Sequence, residues 1–329
     1  MLDDVSLIAL LVAMGLYAAA FIAFALDLAR RSALVADAAT ARQPSAVGAT
    51  AARRGGGTAV LEREPASSGP DAPVAAGRSI SLNVAMVLLV VGFVVHAVAT
   101  VLRGLAASRV PWANMYEFAM TGTLLILSVY LIVLTRRDLR FLGTFVTGLI
   151  LILLGVAVVQ YRVEVSPLPP SLQSYWLVIH VFVAALGTGF FALAFALSGV
   201  QLLQFRRESL AADAKAAKMR FLATLPDSVT LESMAYRLNI VGFIFWTFTL
   251  MAGAIWAERA WGRYWGWDTK EVWTFIIWVL YAGYIHARAT RGWRGSRSAW
   301  LAIIGFSAVM FNFGIVNVFF KGLHTYSGL

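Results

Sequence analysis

The chain has 329 residues, of which 60% are hydrophobic and 13% charged, with a formal net charge of +10 and no cysteine. That balance excludes a soluble globular domain and points to an integral membrane protein, whose excess of Lys and Arg belongs to inward-facing loops and not to a nucleic-acid surface. Without cysteine the chain forms no disulfide and performs no thiol chemistry of its own.

The first apolar run, Val5 to Leu26, is long enough to cross a bilayer. It follows Asp3 and Asp4, not a basic segment, and lacks a small-residue cleavage site. It therefore reads as an uncleaved span with its N-terminus outside. Residues 1–27 form this first unit. Residues 28–81 are rich in Ala, Gly, Ser, Pro and Arg, including Gly55-Gly56-Gly57 and the arginines Arg42, Arg53, Arg54, Arg63 and Arg78. They read as a disordered cytoplasmic loop with too little apolar surface to order itself.

Residues 82–329 carry seven more apolar runs, near 82–103, 117–134, 141–160, 176–204, 239–257, 271–288 and 300–320. The expected fold is an all-α, polytopic transmembrane bundle of eight spans with both termini outside. Basic residues fall in alternate loops: Arg136, Arg137 and Arg140; then Arg206, Arg207, Lys215, Lys218 and Arg220; then Arg288, Arg291, Arg294 and Arg297. All of these lie on the same, cytoplasmic side. Before Pro226, residues 205–238 leave room for an amphipathic helix.

This topology puts residues 256–273, WAERAWGRYWGWDTKEVW, on the outer face. The chain has 11 tryptophans, and Trp256, Trp261, Trp265, Trp267 and Trp273 are all here. One reading is an interfacial aromatic belt. The other is a binding shelf: if the segment is helical, Trp261, Trp265 and Asp268 share one face and offer a flat aromatic surface to a large planar ligand.

Each of the four histidines has a place. His180 lies near the outer end of the fifth span, level with Tyr175 and Trp176. His324 lies just beyond the eighth span, also outside. Two imidazoles converging on an aromatic shelf fit the axial ligands of one iron, and no Cys, Asp or Glu cluster competes as a zinc site. Asp268 and Glu271 read either as orienters of an imidazole N–H or as caps at the start of span seven. His286 lies inside span seven, as a ligand or as a residue reaching the headgroups. His96 lies inside span two, as a ligand or a core histidine bonded to a neighbouring helix. Phe93, Phe118, Phe190 and Phe191 read as packing.

Trp261-Gly262-Arg263-Tyr264-Trp265-Gly266-Trp267-Asp268 resembles the W-G-x-x-W-x-W-D signature of haem-handling membrane proteins. Asp268-Thr269-Lys270-Glu271-Val272-Trp273 resembles the D-P-K-E-x-W of their CcsA/ResC branch, which assembles c-type cytochromes, with Thr269 where proline is usual. Gly322-Leu323-His324-Thr325-Tyr326-Ser327 and Pro111-Trp112-Ala113-Asn114-Met115-Tyr116-Glu117 are similar to that family's G-L-H-S/T-Y and P-x-x-N-x-Y-E. The likeness runs from about Leu82 to the end.

The resemblance implies a haem-handling subunit of a cytochrome c synthase in the plasma (inner) membrane. Haem b would be both substrate and bound ligand. It would be held inside by His286 and outside by His180 and His324, against Trp256, Trp261, Trp265, Trp267 and Trp176, with Asp268 nearby. The implied partners are a ResB-type membrane protein, an apocytochrome c with a C-x-x-C-H motif and a separate thiol reductase system. Two alternatives remain: a quinol-linked haem b electron-transfer subunit, and a haem exporter without attachment activity. His96 and His286 are not expected to share an iron. At ~1.5 Å per residue their heights differ by roughly 13 Å in a core of about 30 Å, so the partner of His286 is expected from another chain.

Reporter fusions after Arg140 and Arg297 are expected to read out in the cytoplasm, and fusions near Tyr264 and Leu329 outside. A cytoplasmic signal at Tyr264 would contradict an outer site.

Overall fold

The computed structural model describes residues 1–41, 79–168, 172–210 and 216–324. Among the described residues all regular structure is helical. The long helices are α1 (Leu2–Ala41), α2 (Ile80–Ala107), α3 (Met115–Leu134), α4 (Gly143–Gln160), α5 (Tyr175–Ser209), α6 (Ser228–Trp261), α7 (Thr269–Thr290) and α8 (Ser296–Phe311). A π-helical turn, Asn312–Val316, and a last short helix, α9 (Asn317–Phe319), continue α8.

Each apolar run expected to span coincides with one of these helices, the last continuing from α8 through the π-helical turn and α9, and 7 helices are long and apolar enough to cross a membrane. The helix outside that set is α7. Its 22 residues are sufficient in length, but Lys270, Glu271, His286 and Arg288 make it less apolar than the rest. Apolar side chains at Ile8, Leu11 and Val12 of α1 and Val87, Val94 and Val101 of α2 are exposed. Such a surface suits lipid, where helices satisfy their own backbone groups. The chain is an integral membrane protein.

Two differences from the expected boundaries have local causes. The first helix does not stop near residue 27 but runs to Ala41, since the alanines after Leu28 propagate a helix already nucleated by the apolar run. The remainder of the expected loop, 42–78, lies outside the described residues. Among the described residues between α5 and α6 there is no amphipathic α-helix. A 3-10 stretch, Ala216–Thr224, bends at Met219 and packs on α1.

The helices pair closely where side chains are small. α5 lies along α6, and a Cβ on Gly242 would sit 2.7 Å from the Phe191 ring. Membrane helices associate through such contacts, because lipid offers no hydrophobic drive to bring them together. α1 and α2 are joined by Ser6 Oγ donating to the Ala99 carbonyl at 2.8 Å and by Tyr17 Oη at 3.2 Å from His96 Nδ1.

Buried ion pairs clamp the bundle at both ends. At one end, Arg103 and Glu117 have side chains with no solvent exposure. Arg103 Nε donates to Glu117 Oε1 at 3.0 Å and its Nη1 to Asp3 at 2.5 Å. Arg109 Nη1 and the Ala113 N–H donate to Glu117 Oε2 at 2.6 and 3.0 Å. Asn114 caps α3 by accepting from the Glu117 N–H at 2.9 Å, and Tyr116 lies under the Arg103 guanidinium. The Pro111–Glu117 motif thus ties the starts of α1 and α3 to the end of α2. At the other end, Arg288 donates to Glu232 at 3.0 Å and lies 3.8 Å from the Tyr236 ring centroid. The Gly295 N–H donates to the same carboxylate at 2.8 Å.

Removing one partner from a buried pair strands the other charge at a cost of about 3–5 kcal/mol. Glu117→Ala is therefore expected to lower the thermal unfolding midpoint in detergent clearly more than Arg109→Ala. Equal midpoints for Glu117→Ala and the unaltered protein would contradict the clamp.

Candidate functional site

The tryptophan-rich segment is not one helix. α6 ends at Trp261, because Gly262 takes the left-handed conformation at φ 70° and its N–H closes onto the Glu258 carbonyl at 2.7 Å. A short loop then leads to Asp268, which caps α7. Helical spacing therefore does not relate Trp261, Trp265 and Asp268, and the expected continuous shelf is divided.

The loop is held from below. Trp267 adopts φ 59°, a costly conformation for a bulky side chain. Glu271 Oε2 accepts from the N–H groups on either side of it, Gly266 at 2.8 Å and Asp268 at 3.1 Å. Glu271 thus forms the N3 half of a capping box with Asp268 at the start of α7. Thr269 occupies the first helical position, where proline is favoured but not required.

Below this loop opens a largely apolar cavity, about 1200 Å3 of empty space when the open solvent at its mouth is included. Its walls come from α3 (Phe118, Ile126), α5 (His180, Ala184), α6 (Trp246, Thr249) and the α8 region (Met310, Phe313), among others. Tyr264, Trp265, Lys270, Glu271 and His324 close one side.

His180 and His324 both line this cavity, although one is on α5 and the other follows α9. His180 Nδ1 lies 3.0 Å from the Thr249 carbonyl. Its ring covers Gly253, where a Cβ would come within 2.7 Å of Cε1. Any side chain at 253 would displace the imidazole. His324 Nδ1 lies 2.7 Å from Asp268 Oδ2, and the Leu323 N–H donates to Asp268 Oδ1 at 3.1 Å. The bond to His324 holds the Asp268 carboxyl below the usual carboxylate range. Asp268 thereby fixes the chain beyond α9 against the start of α7.

Trp256 joins the two histidines. It is 1% exposed and stacks on His180 at 5.8 Å and 18°. His324 meets it edge-on at 5.4 Å, and Trp261 packs on Trp256 at 4.8 Å and on His324 at 4.9 Å. Trp256 and Trp261 thus support the imidazoles from behind. Trp265 faces the cavity, with the edge of Trp267 at 5.8 Å. Trp267 itself is 78% exposed on the rim, and Trp176 packs in the cluster around Leu172, Leu177 and Trp256.

The remaining histidines lie elsewhere. His96 is fully buried beside Tyr17. His286 is exposed on α7. α2 packs mainly on α1 and α3, whereas α7 packs on α6 and α8. No cluster of His, Cys, Asp or Glu for a bare metal ion occurs among the described residues.

Sequence reasoning read Phe118 as packing and passed over Thr249, Lys270 and Asn312 as site residues; all four line the cavity. Lys270 stood inside a recognised motif. Thr249 contributes a backbone carbonyl, which no side-chain pattern signals.

The donor set suits haem. The cavity is largely apolar and flanked by indoles. Each candidate imidazole is anchored through Nδ1 to a carbonyl or carboxylate, the usual support of a ligating histidine.

Residues 112–324 match the family described as cytochrome C assembly protein. The cytochrome c biogenesis protein CcsA of Heterosigma akashiwo is 33% identical over 249 residues, covering 67% of this chain and 77% of its own. That of Guillardia theta is 35% identical over 245 residues, with 69% and 80% covered. That of Prochlorococcus marinus is 30% identical over 271 residues, with 76% and 86% covered. A solved cytochrome c heme lyase CcmF shares the fold at a TM-score of 0.61 and 14% identity; it matches 100% of this chain, which spans 50% of its length. The chain belongs to the cytochrome c assembly protein family, as a CcsA-type membrane protein of cytochrome c biogenesis.

Proposed function

We propose that this protein is the haem-handling subunit of a cytochrome c synthase, and that the cavity under the tryptophan-rich loop holds haem b between His180 and His324. The observation that carries the reading is the pair itself. Two histidines far apart in sequence line one cavity, each anchored through Nδ1, and both touch Trp256. An imidazole anchored through Nδ1 ligates through Nε2.

Haem, the substrate, supplies two vinyl groups, and each adds a thiol of the C-x-x-C-H motif across its double bond to form a thioether. The chain's own residues orient and shield. Asp268 fixes the tautomer and position of His324, Thr249 does the same for His180, and Trp265 offers a face for the macrocycle. Trp267 on the rim is placed to meet the apocytochrome.

The site lies on the outer face of the plasma (inner) membrane. α7 also crosses the membrane, which brings the number of spans to eight, and both termini are outside. His286 is the inner haem ligand. Its exposed position on α7 suits a second ligand from a ResB-type partner, and a separate thiol reductase system keeps the apocytochrome reduced.

His180→Ala and His324→Ala are each expected to change the absorption spectrum of co-purified haem, because each removes an axial ligand. Trp265→Ala is expected to lower haem retention with less spectral change. Unaltered spectra in both histidine variants would overturn the axial assignment. Asp268→Asn preserves shape but weakens the support of His324, so haem affinity is expected to fall about ten- to a hundredfold. An unchanged affinity would reduce Asp268 to a helix cap. Covalent haem formed on an apocytochrome by this chain reconstituted with its partner separates synthase from exporter.

A further inference from the structure

The cavity's polar groups are few, and one of them is a cation. Lys270 is the only Lys or Arg among the residues lining it. Its Nζ donates to the Asn312 carbonyl at 3.0 Å and to Asn317 Oδ1 at 2.6 Å. Both acceptors are neutral. The two nearest acids are committed elsewhere, Asp268 to His324 and Glu271 to the loop backbone. Among the described residues Lys270 forms no ion pair within 4.0 Å. An ammonium has three donors, and two are in use here.

Asn312 adds an independent sign. It also lines the cavity, is 4% exposed, and its Oδ1 has no partner. Its Nδ2 reaches Thr274 Oγ1 only at 3.5 Å, the outer limit of a hydrogen bond. A buried amide with almost no bonds is costly unless a ligand completes it. Turning the amide about its last bond exchanges its oxygen and nitrogen, so that an N–H donor stands where Oδ1 has no partner. Asn312 also opens the π-helical turn, and π turns inside α-helices recur at functional sites.

We propose that Lys270 and Asn312 form a subsite for a carboxylate, which for the ligand of this cavity is a haem propionate. The inference rests on the haem reading above and names the part of the macrocycle this wall recognises. A carboxylate here takes the third N–H of Lys270 and an N–H of Asn312, and it gives Lys270 a direct ion-pair partner where none lies within 4.0 Å among the described residues. With iron between two histidines and one propionate on this wall, the macrocycle cannot rotate freely in its own plane. The vinyl edge is then fixed relative to the mouth.

The test compares two probes on the purified full chain in detergent, ferric haem and its dimethyl ester, by absorbance titration. The unaltered protein is expected to bind haem about tenfold tighter than the diester, the size of one hydrogen bond to a charged group. Lys270→Met is expected to bind both with equal affinity while keeping the two-histidine spectrum. Equal binding of haem and diester by the unaltered protein overturns the subsite and leaves the axial histidines standing. Equal loss of both probes in Lys270→Met, with the preference for haem retained, also overturns it and makes Lys270 a structural tie to the π turn. Failure of the unaltered protein to bind either probe refutes the haem reading and the subsite together. The first comparison needs no variant, so it holds even if Lys270→Met fails to fold.

Discussion

Asp268 carries the arrangement of the outer face. It begins α7, so its position is set by the helix and by Glu271 beneath the loop. From there its carboxylate takes His324 Nδ1 and the Leu323 N–H. The hydrogen bond does more than orient one ring, because His324 comes after α9 and has no helix of its own to place it. That tie adds to the packing of His324 on Trp256 and Trp261 in holding the chain beyond α9 to the tryptophan-rich segment. The bond is sensitive to protonation. His324 holds the Asp268 carboxyl low, so the stability it supplies is complete above the ordinary carboxylate range of about 3.9 and is lost only as pH falls below it.

The rest of the bundle makes that tie possible by being rigid where lipid offers no cohesion. Buried charges are concentrated at the two ends, Arg103 with Glu117 and Arg288 with Glu232. Between them the helices meet through small residues and aromatic rings, such as Phe191 stacked on Tyr281 at 3.6 Å. The clamps set how far apart the helices stand at their ends, and the cavity occupies the space left between α3, α5, α6 and α8. Function needs this space empty of side chains. Gly253 shows the constraint most plainly, since its missing Cβ is the room in which His180 stands.

Much of this was legible in the sequence, and the failures have physical causes. Apolar runs located the helices, since length and hydropathy decide insertion. The end of α1 was not legible, because alanine is at home both in a helix and in a low-complexity loop. The alternation of basic loops was enough to group His180 and His324, and the structure brings them to one cavity. The phase of the tryptophans was misjudged because a single left-handed glycine, Gly262, resets the periodicity. Trp256 and Trp261 therefore back the histidines while Trp265 faces the cavity. Lys270 and Asn312 were hidden for another reason. Each is an ordinary polar residue until the fold places it on an apolar wall without a full set of partners.

The central claim is that His180 and His324 belong to one iron. A cryo-electron-microscopy map of the full chain loaded with haem tests it most directly. The account predicts density for the macrocycle beneath the tryptophan-rich loop, continuous through the metal with the Nε2 atoms of both rings. Iron bound by only one of these histidines, or found only beside His286 or His96 with the outer cavity vacant, would contradict it.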